Sequence, residues 1–314
     1  MFVMINTRTN YIDLARFVGI YAVVLGHFTP FESIADGIGR ELIYMFHVPL
    51  FFLISGMLSK PTSPIKVFYS LIIPYFIYNV ISIAKLDIIP LITFNALELN
   101  NAPTWFFAAL FFIKIISDNI NNAIPVYIGI IIFVVTILYY SDIGISRFMG
   151  LHAVVYGLPF FLFGKFLKDK MSFVVSARIY FWIPCAIILF FVFMYYERFD
   201  LYSSEIHNPL VYFFTSCMAS LLILVLCSKL FVYIPKSFYD FIRVNGRGSM
   251  FILGTHYILL GVLSKYIIPD VQIDFLLKML IVALLSVPYY FLIKYTYNKF
   301  PVLYGKMCYS LLRK

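Results

Sequence analysis

The chain has 314 residues, of which 62% are hydrophobic and 12% are charged, and its mean hydropathy is +0.93. A soluble domain carries about 45–50% apolar and about 25% charged residues, so a water-soluble globular fold is excluded. The net charge of +9 does not indicate a nucleic-acid partner, because the basic residues sort by loop. No long linker interrupts the apolar runs, which predicts one all-α membrane domain over residues 1–314.

Ten apolar runs have the length and composition of membrane-spanning helices. Such a helix needs about 20 mostly apolar residues, and somewhat fewer where neighbouring helices shelter its ends. Barrel strands are excluded because they would alternate apolar and polar residues over about ten positions. The sequence therefore predicts a polytopic helix bundle. Its spans are expected at approximately residues 12–30, 42–58, 65–83, 104–118, 124–141, 152–167, 179–196, 210–234, 250–268 and 275–297.

The Lys and Arg residues predict the orientation of this bundle. An even number of spans puts both termini on one side, which carries 17 Lys and Arg residues against 6 on the other. Positively charged loops face the cytoplasm, so both termini are predicted to be cytoplasmic. The first span carries Asp13 and Arg16, which is untypical of a cleavable signal peptide. We expect it to remain in the membrane.

Three ionisable residues mark the first predicted span. Such groups cost several kcal/mol at membrane depth unless they are paired or face a wet cavity, which makes them functional candidates. Asp13 and Arg16 have the i, i+3 spacing that allows an ion pair. His27 lies 11 residues beyond Arg16, about 16 Å along the helix and only about 20° off its face. One stripe of polar groups therefore indicates a lined cavity, and a structural ion pair with an interfacial histidine is the alternative.

The second predicted span carries His47 close to the membrane level of His27. Pro49 removes a backbone donor and frees a carbonyl, while Ser55 and Gly56 permit close helix approach. His47 is a candidate for a ligand-contacting or catalytic role, with a packing histidine as the rival interpretation. Ser55 is a candidate for a catalytic role as well, and a packing serine is the alternative interpretation.

The stretch Asn245–Ser249 precedes the ninth predicted span. Ser249 is expected to be its N-cap, and helix-start amides beside Arg247 could hold an anion such as a CoA phosphate. A capped turn with a solvated arginine is the alternative. His256, seven residues after Ser249, lies on nearly the same helix face.

Other polar or reactive residues have simpler interpretations. Trp105 is expected to anchor a helix end at the membrane interface. The basic loop of Lys165, Lys168, Lys170 and Arg178 fits the cytoplasmic charge bias, and a polyanionic cofactor is the alternative. The cysteines are expected to be small buried hydrophobic side chains, and no metal-ligand spacing is present. They are Cys185, Cys217, Cys227 and Cys308.

Five short blocks follow one another along the chain: Tyr11–Arg16 through Leu25–His27, Phe46–Gly56, Pro103–Leu110, Pro159–Gly164, and Asn245–Ser249 through His256. In this order they resemble the blocks of the membrane acyltransferase 3 family, the bacterial acetyltransferases that O-acylate polysaccharides and related acceptors. The first two blocks together are the most specific. One departure is the start of the third span, where Lys66 stands in place of the arginine-rich segment common in the family.

The resemblance implies a multi-pass protein of the bacterial inner (cytoplasmic) membrane that takes an acyl group, usually acetyl, from acetyl-CoA or another acyl-CoA. The acceptor it implies is a hydroxyl of a sugar, a polysaccharide or a lipid-linked sugar. No metal is implied. The acyl group, the acceptor, its membrane face and the formation of a homodimer stay open, as does the choice between direct transfer and an acyl-histidine relay.

Acyl transfer to an alcohol assigns provisional roles to the candidates. A neutral histidine suits the general base, and we expect His27 in that role. His47 or Ser55 would stabilise the oxyanion. The cofactor-binding candidates are Asp13, Arg16, Lys66 and Arg247. A transporter or flippase for lipid-linked sugars and a non-catalytic scaffold or sensor are the alternatives from other classes.

Overall fold

The computed structural model describes residues 7–28, 34–82, 101–120, 123–141, 151–195, 206, 208–263 and 274–306. Every element in these ranges is helical and none is a strand, which confirms the all-α prediction. The α-helices are α1 (Thr7–Gly26), α2 (Ile34–Met57), α3 (Pro64–Ile81), α4 (Trp105–Asp118), α5 (Ile124–Tyr140), α6 (Leu151–Leu167), α7 (Met171–Ser176), α8 (Ile183–Tyr195), α9 (Pro209–Phe231), α10 (Tyr239–Arg247), α11 (Ser249–Val262) and α12 (Phe275–Thr296). Short 3₁₀ segments cover Ala102–Thr104, Ile179–Trp182, Lys236–Phe238 and Pro301–Tyr304.

The predicted spans each overlap a described helix, but several helix ends differ. α1 begins at Thr7 and α2 at Ile34, well before the predicted starts at residues 12 and 42. Hydropathy detects the apolar part of a helix, whereas backbone hydrogen bonding continues through polar residues such as Arg40 and Glu41. α10 was missed because it is short and amphipathic rather than apolar.

Four described helices are long and apolar enough to cross a membrane, and four shorter helices are also apolar. The total of ten spans and the cytoplasmic termini stay predictions. The long helices are Gly37–Met57, Pro64–Ile81, Pro209–Phe231 and Phe275–Thr296, and the shorter ones are Ile124–Tyr140, His152–Leu167, Tyr180–Leu189 and Ser249–Val262.

Two of the long helices begin at side-chain caps. The Asn208 side chain accepts hydrogen bonds from the amides of Leu210 and Val211 at 3.0 and 3.1 Å, and Pro209 occupies the first helical position of α9. The Asp274 side chain accepts from the Leu277 amide at 2.8 Å at the start of α12. These caps satisfy amides that have no partner inside a helix.

Helices α2 and α6 touch backbone to backbone at two glycines. A Cβ atom on Gly56 would collide with the carbonyl oxygen of Phe161, and one on Gly164 would collide with that of Leu53. The expectation that Gly56 permits close approach is therefore confirmed. Small residues at such crossings favour helix association in membranes, because they allow extensive packing between the two backbones.

Helix α1 lies at the centre of the bundle, in contact with α2, α9, α10, α11 and α12. Its approach to α10 is especially close, because a Cβ atom on Gly246 would collide with the Asp13 backbone. Nearby, the Tyr21 hydroxyl donates to the Asn245 side-chain oxygen at 2.8 Å in a buried hydrogen bond. The central helix is thus fixed to α10 by both packing and polar contacts.

A buried polar network holds the start of α4 against α3 and α11. Asn79 Nδ2 donates to Thr104 Oγ1 at 2.7 Å. The Asn101 backbone amide donates to Asn79 Oδ1 at 3.2 Å, and Asn101 Nδ2 donates to the Gly254 carbonyl at 2.7 Å. Trp105, the first residue of α4, is thereby held in a defined position.

Lysines at one end of the bundle bind backbone carbonyls. Lys165 Nζ donates to the carbonyls of Ser117 and Ile120 at 2.6 and 2.9 Å, and Lys168 Nζ donates to that of Ser59 at 3.1 Å. Lys170 lies over the Phe166 ring. These contacts satisfy carbonyls near helix ends and favour the structural interpretation of the basic loop over a cofactor site.

Of the four cysteines, Cys217 and Cys227 are buried, as expected, whereas Cys185 is only partly buried. Cys308 lies outside the described residues.

The α2–α6 crossing predicts the effect of enlarging Gly56. Gly56→Ala must separate the two backbones, so we expect the free energy of unfolding in detergent to fall by about 1–3 kcal/mol. Thermal and denaturant unfolding followed by circular dichroism measure this change. Gly129→Ala on α5 is the matched control, because its Cβ would meet open space; it should be neutral or stabilise by up to about 1 kcal/mol. Equal stability of the two variants would contradict the close crossing.

Candidate active site

A cavity of about 270 Å³ is enclosed chiefly by α1, α2, α4 and α11. It brings together five of the seven predicted site residues, namely Arg16, His27, His47, Ser55 and Arg247. The remaining polar and aromatic lining residues are Tyr44, Phe51, Trp105, Phe106, Phe107, Tyr212, Ser249 and Tyr304.

Two guanidinium groups and one carboxylate form the cationic part of this site. Arg247 Nε donates to Asp13 Oδ2 at 3.0 Å, and Asp13 is buried whereas the Arg247 side chain is half exposed. The predicted direct contact between Asp13 and Arg16 is not made, since the carboxylate bonds Arg247 instead, although Asp13 and Arg16 are close enough for their charges to attract each other. Arg16 makes no hydrogen bond to another residue in the described part of the chain.

The close approach of α10 explains this choice of partner. Gly246 packs directly on the Asp13 backbone, and the next residue is Arg247, whose side chain therefore reaches the carboxylate. Two arginines share one acid, so the three groups carry a net positive charge. Arg16 and Arg247 also line the cavity, which makes this part of the cavity attractive to an anion.

His27 lies immediately after the last residue of α1. Its backbone amide donates to the Val23 carbonyl at 3.1 Å, so the helical path continues to this residue. Arg16 and His27 consequently line the same cavity, as the shared stripe predicted. The His27 ring packs against the rings of His256 and Tyr257, with centroid distances of 5.4 and 6.1 Å.

His47 is buried on α2, where its ring is anchored to its own helix. Its Nδ1 lies 2.8 Å from the carbonyl oxygen of Ile43. A carbonyl only accepts hydrogen bonds, so this contact assigns the proton to Nδ1. The neutral ring then offers Nε2 as an acceptor, and it can donate to an oxyanion only when it is protonated. The Tyr44 ring packs edge-on against His47 at 4.9 Å.

Ser55 and Lys66 differ in their placement. Ser55 is half-buried in the cavity wall and makes no hydrogen bond to a described residue. Lys66 is exposed in the first turn of α3 and is not among the cavity residues, so the structure does not bring it to the other candidates. A position early in a helix does not by itself predict which way that helix faces.

Two local predictions at the cavity wall are wrong. Trp105 is buried and lines the cavity, because the Asn79–Asn101–Thr104 network holds the start of α4 inside the bundle. Gly248, rather than Ser249, occupies the N-cap of α11, since α10 runs almost directly into α11. The stretch Asn245–Arg247 is helical rather than a solvated turn.

Sequence reasoning missed the contribution of aromatic residues to the cavity wall. Phe51 and Phe106 pack edge-on at 6.2 Å, and Trp105 packs on Phe106 at 6.1 Å. For Phe51 the available signal was its position in the block that also carries His47 and Ser55, whereas Trp105 and Phe106 lie in a block that holds none of the polar candidates. Tyr212, on α9, had no such signal in the sequence.

Asp240, on the same helix as Arg247, connects α10 to α12. Its carboxylate accepts hydrogen bonds from Lys294 at 2.9 Å, Arg243 at 2.6 Å and Tyr290 at 3.0 Å. The hydrogen bonds from Lys294 and then Arg243 lower the pKa of Asp240 to about 2. Asp240 therefore stays ionised in any neutral environment and holds α10 in place.

The family model of acyltransferase domains matches residues 9–307. This match covers nearly the whole chain, and the chain belongs to the acyltransferase 3 family, as its motifs indicated. Family and apolar helices together define it as a membrane acyltransferase. A search of curated proteins and a search of solved structures each found no match.

The Asp13–Arg247 pair predicts energetic coupling between α1 and α10. Arg247→Gln leaves a buried carboxylate without its donor, so we expect it to reduce the free energy of unfolding by about 1–3 kcal/mol. A double-mutant cycle with Asp13→Asn should give a coupling of about 1 kcal/mol or more.

The exposed Asp240–Arg243 pair on α10 is the matched control for this cycle. Its coupling should stay below about 0.5 kcal/mol. Additive effects of Asp13→Asn and Arg247→Gln would show that the contact does not contribute to stability.

Proposed function

We propose that this chain is a membrane O-acyltransferase that moves an acetyl or other acyl group from acyl-CoA to a hydroxyl of a cell-surface polysaccharide or lipid-linked sugar. The observation that carries the proposal is the single cavity lined by Arg16, Arg247, His27 and His47. Positive charge suits the phosphates of the donor, and imidazole suits activation of a hydroxyl.

Arg16 and Arg247 are the proposed phosphate ligands. Guanidinium groups bind phosphate through paired N–H donors, and Arg16 has no hydrogen-bonding partner among the described residues that would compete. Asp13 positions Arg247 rather than touching the donor. Lys66 is not part of the proposed donor site, because it lies outside the cavity.

The separation of the charged and imidazole groups fits an extended donor. Arg16 and His27 are about 16 Å apart along α1, a length that a pantetheine arm can cover. The thioester would then lie near His27 and the phosphates near Arg16. The apolar wall of Phe51, Trp105 and Phe106 would keep water from the thioester and so limit its hydrolysis.

In the proposed reaction His27 takes the proton of the acceptor hydroxyl as the oxygen attacks the thioester carbonyl carbon. The tetrahedral intermediate carries its negative charge on the former carbonyl oxygen, to which Ser55 Oγ or a protonated His47 donates. The carbon–sulfur bond then breaks, and the CoA thiolate takes the proton from His27. The products are the O-acylated sugar and free CoA.

The proposed location is the bacterial inner membrane, with both termini in the cytoplasm. Arg16 would then lie near the cytoplasmic end of the cavity, where acyl-CoA is supplied. His27, at the other end of α1, would meet an acceptor held in the membrane or at its outer face. The surrounding lipid covers the exposed apolar side chains of α5 and α12.

Transfer of label from radiolabelled acetyl-CoA tests the proposed reaction. Purified protein in detergent is incubated with the donor and a membrane extract from the source cells, and His27→Ala is compared with the unmodified chain. We expect label in a carbohydrate or lipid-linked fraction only with the unmodified chain, because the variant lacks the base. Both proteins should unfold at similar temperatures.

Label transferred equally by His27→Ala would remove His27 as the base. No transfer by the folded, unmodified chain with any acyl donor or acceptor would instead favour movement of lipid-linked sugars without acylation.

Arg16→Gln tests the donor site. Loss of a charged hydrogen-bond donor should raise KM for acyl-CoA about tenfold or more, with a smaller change in kcat. Lys66→Gln removes the same charge outside the cavity and should change KM less than about twofold. Equal effects of the two variants on KM would argue against a specific role for Arg16.

A further inference from the structure

His256 is a fully buried histidine on α11 whose ring is fixed at one nitrogen. Its Nδ1 lies 3.0 Å from the carbonyl oxygens of both Ile252 and Leu253. Carbonyls only accept, so Nδ1 carries the proton and the neutral ring presents a lone pair at Nε2. The local contacts thus select one tautomer.

The environment of Nε2 requires an explanation. Nε2 is buried and has no hydrogen-bond partner within the described part of the chain. A buried acceptor without a partner is costly, and such atoms in native structures usually serve a purpose. Nδ1 faces the backbone of α11, so Nε2, across the ring, faces away from that helix.

The ring of His27 packs against that of His256, with centroids 5.4 Å apart and planes inclined by 44°. The adjacent Thr255 side chain is engaged elsewhere, since it donates to the Phe251 carbonyl and contacts the Tyr289 hydroxyl at 3.2 Å. The His27 ring lies nearer to the His256 ring than the Tyr257 ring does, at 5.4 Å against 6.5 Å between centroids, and its nitrogens could supply a donor to Nε2.

The helix that carries His256 is held rigidly. Asn101 Nδ2 binds the Gly254 carbonyl at 2.7 Å, and the Tyr78 ring lies so close to Gly254 that no Cβ atom fits there. A rigid support is what a positioning residue requires, because small displacements of a catalytic group reduce the rate strongly.

We propose that His256 is a positioning residue for His27, with its Nε2 accepting an N–H hydrogen bond from the His27 ring when that ring is protonated. One ring nitrogen of His27 would exchange the proton with acceptor and thiolate, while the other donates to His256. This arrangement holds the His27 ring in place once it has taken the proton, and stabilises its cationic form with a neutral partner. It rests on the proposed function of His27.

Two isosteric substitutions separate this role from packing. In His256→Asn the amide nitrogen occupies the place of Nδ1 and keeps the donor to α11, but the acceptor is lost. In His256→Gln the amide oxygen reaches the place of Nε2 and keeps the acceptor. We expect kcat for acyl transfer to fall about 10–100-fold in His256→Asn, with KM for acyl-CoA unchanged, and to recover substantially in His256→Gln. Equal losses in the two variants would overturn the proposal.

The hydrogen bond between His27 and His256 can also be tested without substrate, so that its failure is distinguishable from failure of the proposed acyl transfer. In protein with ¹⁵N-labelled histidine rings, the Nε2 resonance of His256 is followed by NMR between pH 5 and pH 8. We expect it to shift as His27 gains its proton, and to lose that shift in His27→Ala. If the pH-dependent shift of the Nε2 resonance is the same in His27→Ala as in the unmodified chain, the pairing is overturned, whether or not the protein transfers acyl groups.

His47→Ala is the control for this titration. Arg16, Arg247, Tyr44 and Tyr212 face the same cavity and Tyr257 packs on both imidazole rings, but these groups do not ordinarily titrate between pH 5 and pH 8. A histidine such as His47 ordinarily does titrate in this range. Replacing His47 with alanine should nevertheless leave the pH-dependent shift of the His256 Nε2 resonance in place. A shift that disappears with His47 rather than with His27 would also overturn the proposal.

Discussion

The ion pair between Asp13 and Arg247 is the contact on which the rest of the site depends. It joins residues 234 positions apart in sequence and decides the charge of the cavity. Because Asp13 is buried, its carboxylate must be compensated, and α10 brings Arg247 close enough to do so. Arg16 is then left without a hydrogen-bonding partner among the described residues. One anion shared by two guanidinium groups leaves an excess of positive charge that a phosphate can meet.

The docking of α10 also arranges the imidazole part of the cavity. A single glycine, Gly248, separates α10 from α11, so fixing α10 on α1 also directs α11 along α1. His256 is thereby placed beside His27, at the far end of α1 from Asp13. The charged group and the pair of histidines are thus two consequences of one helix contact. This coupling gives α10 a functional importance that its short length would not suggest.

Residues of the candidate site differ in how far their placement follows from the sequence. Arg16 and His27 were placed on one stripe from helical periodicity, and both line the cavity. Asp13 was assigned to Arg16, its nearest partner in sequence, because spacing within one helix says nothing about an arginine brought by another. Trp105 was expected at the membrane interface but is buried. The polar network that holds it inside the bundle involves Asn79, 26 positions earlier in the chain, and local sequence does not predict such a contact.

The sequence by itself determined that the protein is helical, that it belongs in a membrane and that it resembles the acyltransferase 3 family. These properties depend on composition, on local periodicity and on short motifs, all of which act within a few helical turns. Only the tertiary structure decided that Asp13 binds Arg247, that Lys66 lies apart from the cavity and that His256 lies beside His27. These are contacts between helices, and their geometry depends on where glycines allow close backbone approach.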